Sequence, residues 1–196
     1  VSSKPIFVPV HNSLYELARA VGVMKRKAFI WTGDAQTRGE PMTAERAEEV
    51  IGGFTIFDDW SARDLQREEM ALHLGPAKGK DFASSIGPYL VTPDELADVR
   101  RGTGYDLAMT VDVNGTETGR ARWSDAHFSF GEMLARASAD VHLRAGDVVG
   151  SGTVDTGCLL QSKDATLGRY LEPGDVVTLA IERFGELRNP IVARPA

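Results

Sequence analysis

Asn114-Gly115 stands between two alternating stretches, Tyr105 to Val113 and Thr116 to Trp123. A two-residue type I′ turn needs positive φ at both central positions, which asparagine and glycine tolerate best, so the pair predicts a β-hairpin. Other segments carry the same β character. Ile6 to Val10, Phe54 to Phe57 and Pro88 to Thr92 are short apolar or β-branched runs. Leu143 to Val149 and Leu171 to Val177 each place Gly-Asp ahead of paired valines, the pattern of a turn leading into a strand.

Helical signals are fewer. Leu14, Leu17, Ala18 and Val21 recur at helical spacing, and Phe130, Met133, Leu134 and Ala137 share one face of a helix expected over Phe128 to Ala137. Thr43 precedes Glu45 to Ile51 as an N-cap with carboxylates in the first turn, and Gly52-Gly53 ends that helix. Many strands and few helices predict a β-rich α+β fold: curled antiparallel or mixed sheets with short helices outside. With 196 residues the chain is expected to form one domain over 1–196, in which 1–40 is a divergent or shortened entry segment.

Composition narrows the function. The chain is 42% hydrophobic and 26% charged, which argues against a disordered acidic tail, a collagen-like repeat or a coiled coil. Its apolar runs, such as Ala28 to Trp31, fall far short of the ~18 residues that suggest a membrane span. A net charge of -6, with basic residues scattered apart from a cluster over Met24 to Lys27, makes nucleic acid an unexpected partner. The lone Cys158 permits no internal disulfide, and Val1 to Pro5 lack the basic-then-apolar order of a secretory signal, so the cytoplasm is the expected compartment.

The densest polar chemistry lies between residues 58 and 90: Asp58, Asp59, Ser61, Arg63, Asp64 and Gln66, then Lys80, Asp81, Ser84 and Ser85. Carboxylates at a strand end can hold a hard cation, and neighbouring Arg and Lys can bind a carboxylate or stabilise an enolate. A structural alternative has Asp58 capping a helix over Ser61 to Met70 and Arg63 in a surface ion pair.

The stretch Phe54 to Gln66, continued by Leu74 to Pro88 and by Gly150 to Thr153, resembles the signature of the fumarylacetoacetate hydrolase family. The resemblance implies cleavage of carbon–carbon bonds in 1,3-diketones, or decarboxylation or isomerisation of related 2-oxo acids, with Mg2+ or Mn2+ and as a homodimer. It matches Asp59 to a metal ligand, Arg63 and Gln66 to a substrate-facing pair, and Lys80 to the lysine beside metal and substrate. Ser84 falls near that lysine, and Gly152 with Thr153 matches a turn that contacts a substrate carboxylate. Gln161 stands where the family turn ends in glutamate, and a glutamine cannot take a proton. Lys25 and Lys27 fall where two further carboxylate ligands are expected, so either the cation is lost and these lysines pair with Asp59, or the segment is a solvated basic strand and a metal is held by carboxylates elsewhere in the chain. His11 lies in the part of the chain that supplies the family's general base. His73, His127 and His142 match no functional position, and Cys158 reads as a buried inert thiol. Trp60, Phe82 and Tyr89 belong either to the core or to a subunit interface. The alternatives are a metal-independent isomerase, decarboxylase or cyclase, and a non-catalytic binder of small anions.

Overall fold

The computed structural model describes residues 42–73, 75–141 and 143–193. The strand expected at Ile6 to Val10, the helix expected at Leu14 to Val21, and His11, Lys25, Lys27 and His142 lie outside these residues. The element order is α1 (Ala44–Glu49), β1 (Phe54–Asp59), α2 (Arg63–Met70), β2 (Ser84–Val91), β3 (Arg100–Arg101), β4 (Gly104–Tyr105), β5 (Ala108–Val113), β6 (Thr116–Arg122), α3 (Phe130–Ala137), α4 (Leu159–Ser162), β7 (Val176–Ile181) and β8 (Gly185–Pro190). Short 3-10 turns join β2 to β3 and β6 to α3. The fold is β-rich α+β with short helices. Of the antiparallel or mixed sheets expected, the described strands form three small ones whose pairings are all antiparallel: β1-β2, β3-β4 and β6-β5-β7-β8.

The hairpin forms as its turn dictates. Asn114 and Gly115 adopt φ of 54° and 80°, and Val113 pairs with Thr116. The register then shifts between Val111 and Asp112, where β6 carries an extra residue, a bulge that sharpens the local twist. The two Gly-Asp turns diverge. Val176 continues into β7 between β5 and β8, whereas Val148 makes an isolated bridge and packs with Ala47 and Leu134.

The Thr43 cap follows from sequence, and a second cap at Ser129 moves the start of the later helix. Thr43 accepts from the Arg46 N–H, and Ser129 forms a capping box with Glu132, so α3 starts at Phe130 rather than Phe128. Helices α1 and α3 cross closely around Ala47 and Leu134. Gly131 makes that approach possible, since a Cβ there would sit 2.4 Å from the Ala44 carbonyl oxygen and 2.6 Å from Glu48 Cγ. In an open helix Gly→Ala stabilises. Here the sign should reverse: Gly131→Ala is expected to cost about 2 kcal/mol through overpacking, read as a lower urea midpoint with an unchanged slope.

A second core gathers Ile56, Leu96, Tyr105, Leu107, Trp123 and Phe184, with Phe54 edge-on to Tyr105 and Trp123 at 5.6 and 4.9 Å. A third packs Trp60 against Val111, Val113 and Val177. These two cores clamp β1 at both ends and so fix its carboxyl terminus. Trp60 is therefore a core residue, while Phe82 and Tyr89 are exposed.

Candidate active site

Side chains alternate along a strand, so Asp58 shares the face of Phe54 and Ile56 while Asp59 shares the face of Phe57. Both carboxylates are nevertheless buried, at 0% and 2% exposure. Asp59 lies directly opposite Ser84 on β2, and Asp58 opposite Ser85. Trp60 donates its indole N–H to Ser85 Oγ at 2.9 Å, which fastens the end of β1 to the start of β2.

Lys80 answers the charge of Asp59. Its ammonium pairs with Asp59 Oδ2 and donates to Ser61 Oγ at 2.6 Å, with the lysine side chain only 12% exposed. The pair sits in a low-dielectric setting, where attraction between opposite charges is much stronger than in water. Asp58 has no such satisfaction: neither carboxylate oxygen has a hydrogen-bond partner among the described residues. Burial, and then the neighbouring Asp59 charge, pushes its carboxyl up to about 7 against the opposing pull of Lys80. The expectation that Asp58 caps the following helix is overturned, because the cap position of α2 is Ala62 and no side chain caps it. The cause is geometric: the alternation of β1 turns Asp58 inward.

Arg63 and Gln66 lie one turn apart on α2, and the Arg63 guanidinium donates to Gln66 Oε1. Its other terminal nitrogen donates to Cys158 Sγ at 3.2 Å, across 95 residues of sequence. Cys158 is buried, as expected, but it touches a site residue, which no local motif announces. Glycine at 79 lets the loop carrying Lys80 lie on this helix: a Cβ there would meet the Gln66 backbone nitrogen at 2.9 Å and the Ala62 oxygen at 3.1 Å. The Ala62 N–H donates to the Gly79 carbonyl at 2.9 Å.

Gly152 and Thr153 lie in the loop before α4. They help line a largely apolar cavity of about 670 Å3 together with Phe57, Met109, His127 and Phe130. None of Asp59, Arg63, Gln66 and Lys80 is among the described residues lining that cavity. The link between the two regions is Cys158, at the end of the Thr153 loop and against Arg63. The loop is moored to β6 by Thr156, whose φ is 58° and whose hydroxyl accepts from the Arg120 N–H at 3.0 Å and donates to the Arg120 carbonyl at 3.2 Å. Gly119 permits this close approach, since a Cβ would fall 2.4 Å from the Thr156 backbone carbonyl oxygen. Gln161 is exposed on α4, and Ser84 is exposed beside Asp59 in register.

A divalent cation needs several oxygen ligands. Asp59 offers one carboxylate already held by Lys80, Asp58 faces the other side of the strand, and no group of three metal-capable side chains occurs among the described residues. By themselves these residues do not make a metal site.

Such a β-rich fold, with a buried ammonium–carboxylate pair at a strand terminus and an arginine at the start of the following helix, has groups that can hold and stabilise an oxyanion. Residues 30–192 match the family described as fumarylacetoacetate (FAA) hydrolase C-terminal, and the chain belongs to that family. It is 27% identical over 218 residues to a fumarylacetoacetase of Arabidopsis thaliana, covering 91% of this chain and 49% of that protein. It is 31% identical over 153 residues to the oxaloacetate tautomerase YisK of Bacillus subtilis, covering 78% of this chain and 47% of that one. Among solved structures it resembles a fumarylpyruvate hydrolase from Pseudomonas aeruginosa in complex with Mn2+ and pyruvate, with 26% identity, a TM-score of 0.67, and coverage of 85% of this chain and 63% of that one. The chain spans about half the length of the curated relatives it matches.

Proposed function

We propose that this chain is a catalytic domain acting on a small 1,3-dicarbonyl or 2-oxo acid, and that it hydrolyses a carbon–carbon bond by stabilising an enolate leaving group. The observation that carries this reading is the buried Lys80 ammonium held on Asp59 and Ser61. In the proposed reaction water adds to the carbonyl carbon remote from the 2-oxo acid, and the adjacent carbon–carbon bond breaks. Its electron pair passes into an enolate, which then takes a proton to give the free 2-oxo acid, while the other fragment departs as a carboxylate. Lys80 supplies fixed positive charge where the oxyanion develops, and Asp59 keeps that charge in place without solvent reorganisation. Arg63, oriented by Gln66 and Cys158, is assigned the substrate carboxylate, with Thr153 and Gly152 closing on it from the neighbouring loop. Water activation is assigned to His11, which lies outside the described residues.

The Pseudomonas relative holds Mn2+. In this proposal a divalent cation, Mg2+ or Mn2+, would meet Asp59 together with ligands from outside the described residues, and would polarise the substrate carbonyls. A cytoplasmic homodimer completes the reading. A second reading, keto–enol isomerisation or decarboxylation of a 2-oxo acid, uses the same enolate stabilisation without water, and the tautomerase relative favours it.

Purified protein should be assayed with acylpyruvates, fumarylacetoacetate and oxaloacetate, with and without Mg2+ or Mn2+, alongside calorimetric metal titration. The expected result is metal-stimulated hydrolysis, and a drop of about a hundredfold or more in Asp59→Asn together with weakened metal binding. Enolisation or decarboxylation alone would move the assignment to the second reading. No turnover of any of these substrates would refute both.

A further inference from the structure

Lys80 belongs to no helix or strand, yet it must present its ammonium to Asp59 within a fraction of an ångström for the charge to be useful. Its loop is held by a carboxylate eleven residues upstream. Glu69, near the end of α2, accepts hydrogen bonds from three successive backbone N–H groups: Ala77 to Oε2 at 2.8 Å, Lys78 to Oε1 at 2.5 Å and Gly79 to Oε2 at 3.1 Å. Consecutive amides around one anion form a nest, an anion-binding concavity of the backbone that the Glu69 carboxylate fills here. The bond from the Ala62 N–H to the Gly79 carbonyl, and the absence of a Cβ at Gly79, seat the same turn against the start of α2. The next residue is Lys80, whose N–H returns to the Ala77 carbonyl at 3.0 Å.

We propose that Glu69 is a positioning residue for Lys80, acting through this nest to hold the ammonium on Asp59 and Ser61. The direction of its titration agrees: hydrogen bonds from the loop amides, that of Gly79 foremost, hold the Glu69 carboxyl below its ordinary range. The exposed pair of Lys78 with Asp81 flanks the nest without replacing it. Helix α2 thereby aligns both halves of the site, with Arg63 and Gln66 in its first turn and the anchor of Lys80 in its last. The catalytic part of this inference rests on the proposed enolate chemistry; the structural part does not.

The test therefore has two readouts on wild type, Glu69→Gln and Glu69→Ala. The first is the rate at which acetic anhydride acetylates Lys80, followed by mass spectrometry with Lys163 as internal reference. Acetylation of Lys80 should accelerate about tenfold or more in Glu69→Ala and less in Glu69→Gln, which keeps one acceptor, while Lys163 is unchanged. The second is turnover: kcat should fall about 10- to 100-fold with KM within about threefold, and Glu69→Gln should lie between. If the alanine variant does not fold, the glutamine variant carries the comparison. Unchanged Lys80 acetylation in a folded variant overturns the inference whatever the activity. Altered acetylation in a protein that turns over none of the substrates keeps the positioning role and refutes the chemistry instead.

Discussion

Lys80→Gln is expected to reduce turnover by about a thousandfold while changing KM little, because glutamine can keep the hydrogen bond to Ser61 but carries no charge to meet a developing oxyanion. Stability should fall as well. The side chain of Asp59 is 3% exposed, and losing its counter-ion leaves a buried carboxylate at a cost of about 3 kcal/mol near neutral pH. Asp58 aggravates this, since the charge of Lys80 opposes the upward shift of its carboxyl. The two effects separate in the double variant Lys80→Gln/Asp59→Asn. That protein should regain most of the lost stability, as both partners of the pair are now neutral, and should remain inactive. Urea unfolding and steady-state kinetics on the four proteins of the cycle decide the matter. A Lys80→Gln enzyme within tenfold of wild type would remove Lys80 from the chemistry, and a double variant as unstable as the single one would show that the pair is not what holds the strand end.

The parts of this molecule that local sequence dictates were legible beforehand. Asn114-Gly115 needs only its own φ preferences to make the hairpin, Thr43 needs only its neighbours to start α1, and the Phe54 to Phe57 run delivers Asp59 at the end of β1 as expected. What escaped depends on partners distant in sequence. The two Gly-Asp-Val-Val stretches look alike, yet a strand forms only where neighbours pair along it, and β5 and β8 do so along β7 while Val148 makes a single bridge. Asp58 reads as a helix cap from its position ahead of α2, but the pleat of β1 sends it inward. Cys158 reads as inert because the contact that involves it in the site, with Arg63, spans 95 residues. Glu69 looks like one more surface acid on a charged helix until the loop closes over it. The candidate side chains could thus be named from the sequence, while the contacts that orient them could not.

The second large effect concerns stability and acid. Asp175 precedes β7 and is 5% exposed, and it satisfies four donors at once: Arg169 Nη1 and Nη2 at 2.7 and 2.9 Å, Asn114 Nδ2 at 2.8 Å and the Glu172 N–H at 2.8 Å. Asn114 in turn accepts from the Val176 N–H at 2.9 Å, so the hairpin turn is tied to the start of the neighbouring strand. Asp175→Ala strands these donors and is expected to cost about 2 kcal/mol at neutral pH, a fall in Tm of roughly 5 °C for a chain of 196 residues. Hydrogen bonding from the Arg169 guanidinium, then from the Glu172 amide, holds the Asp175 carboxyl well below its ordinary 3.8. The sign follows from linkage. The unfolded chain takes up this proton at a higher pH than the folded one, so the contribution is complete above the ordinary carboxylate value and is lost as the pH falls below it toward the depressed folded value. Wild type and Asp175→Ala should therefore differ most in Tm between pH 6 and 8 and converge progressively below about pH 4. A gap that persists undiminished to pH 2.5 would mean that packing, and not the charge of Asp175, fastens the turn to the sheet.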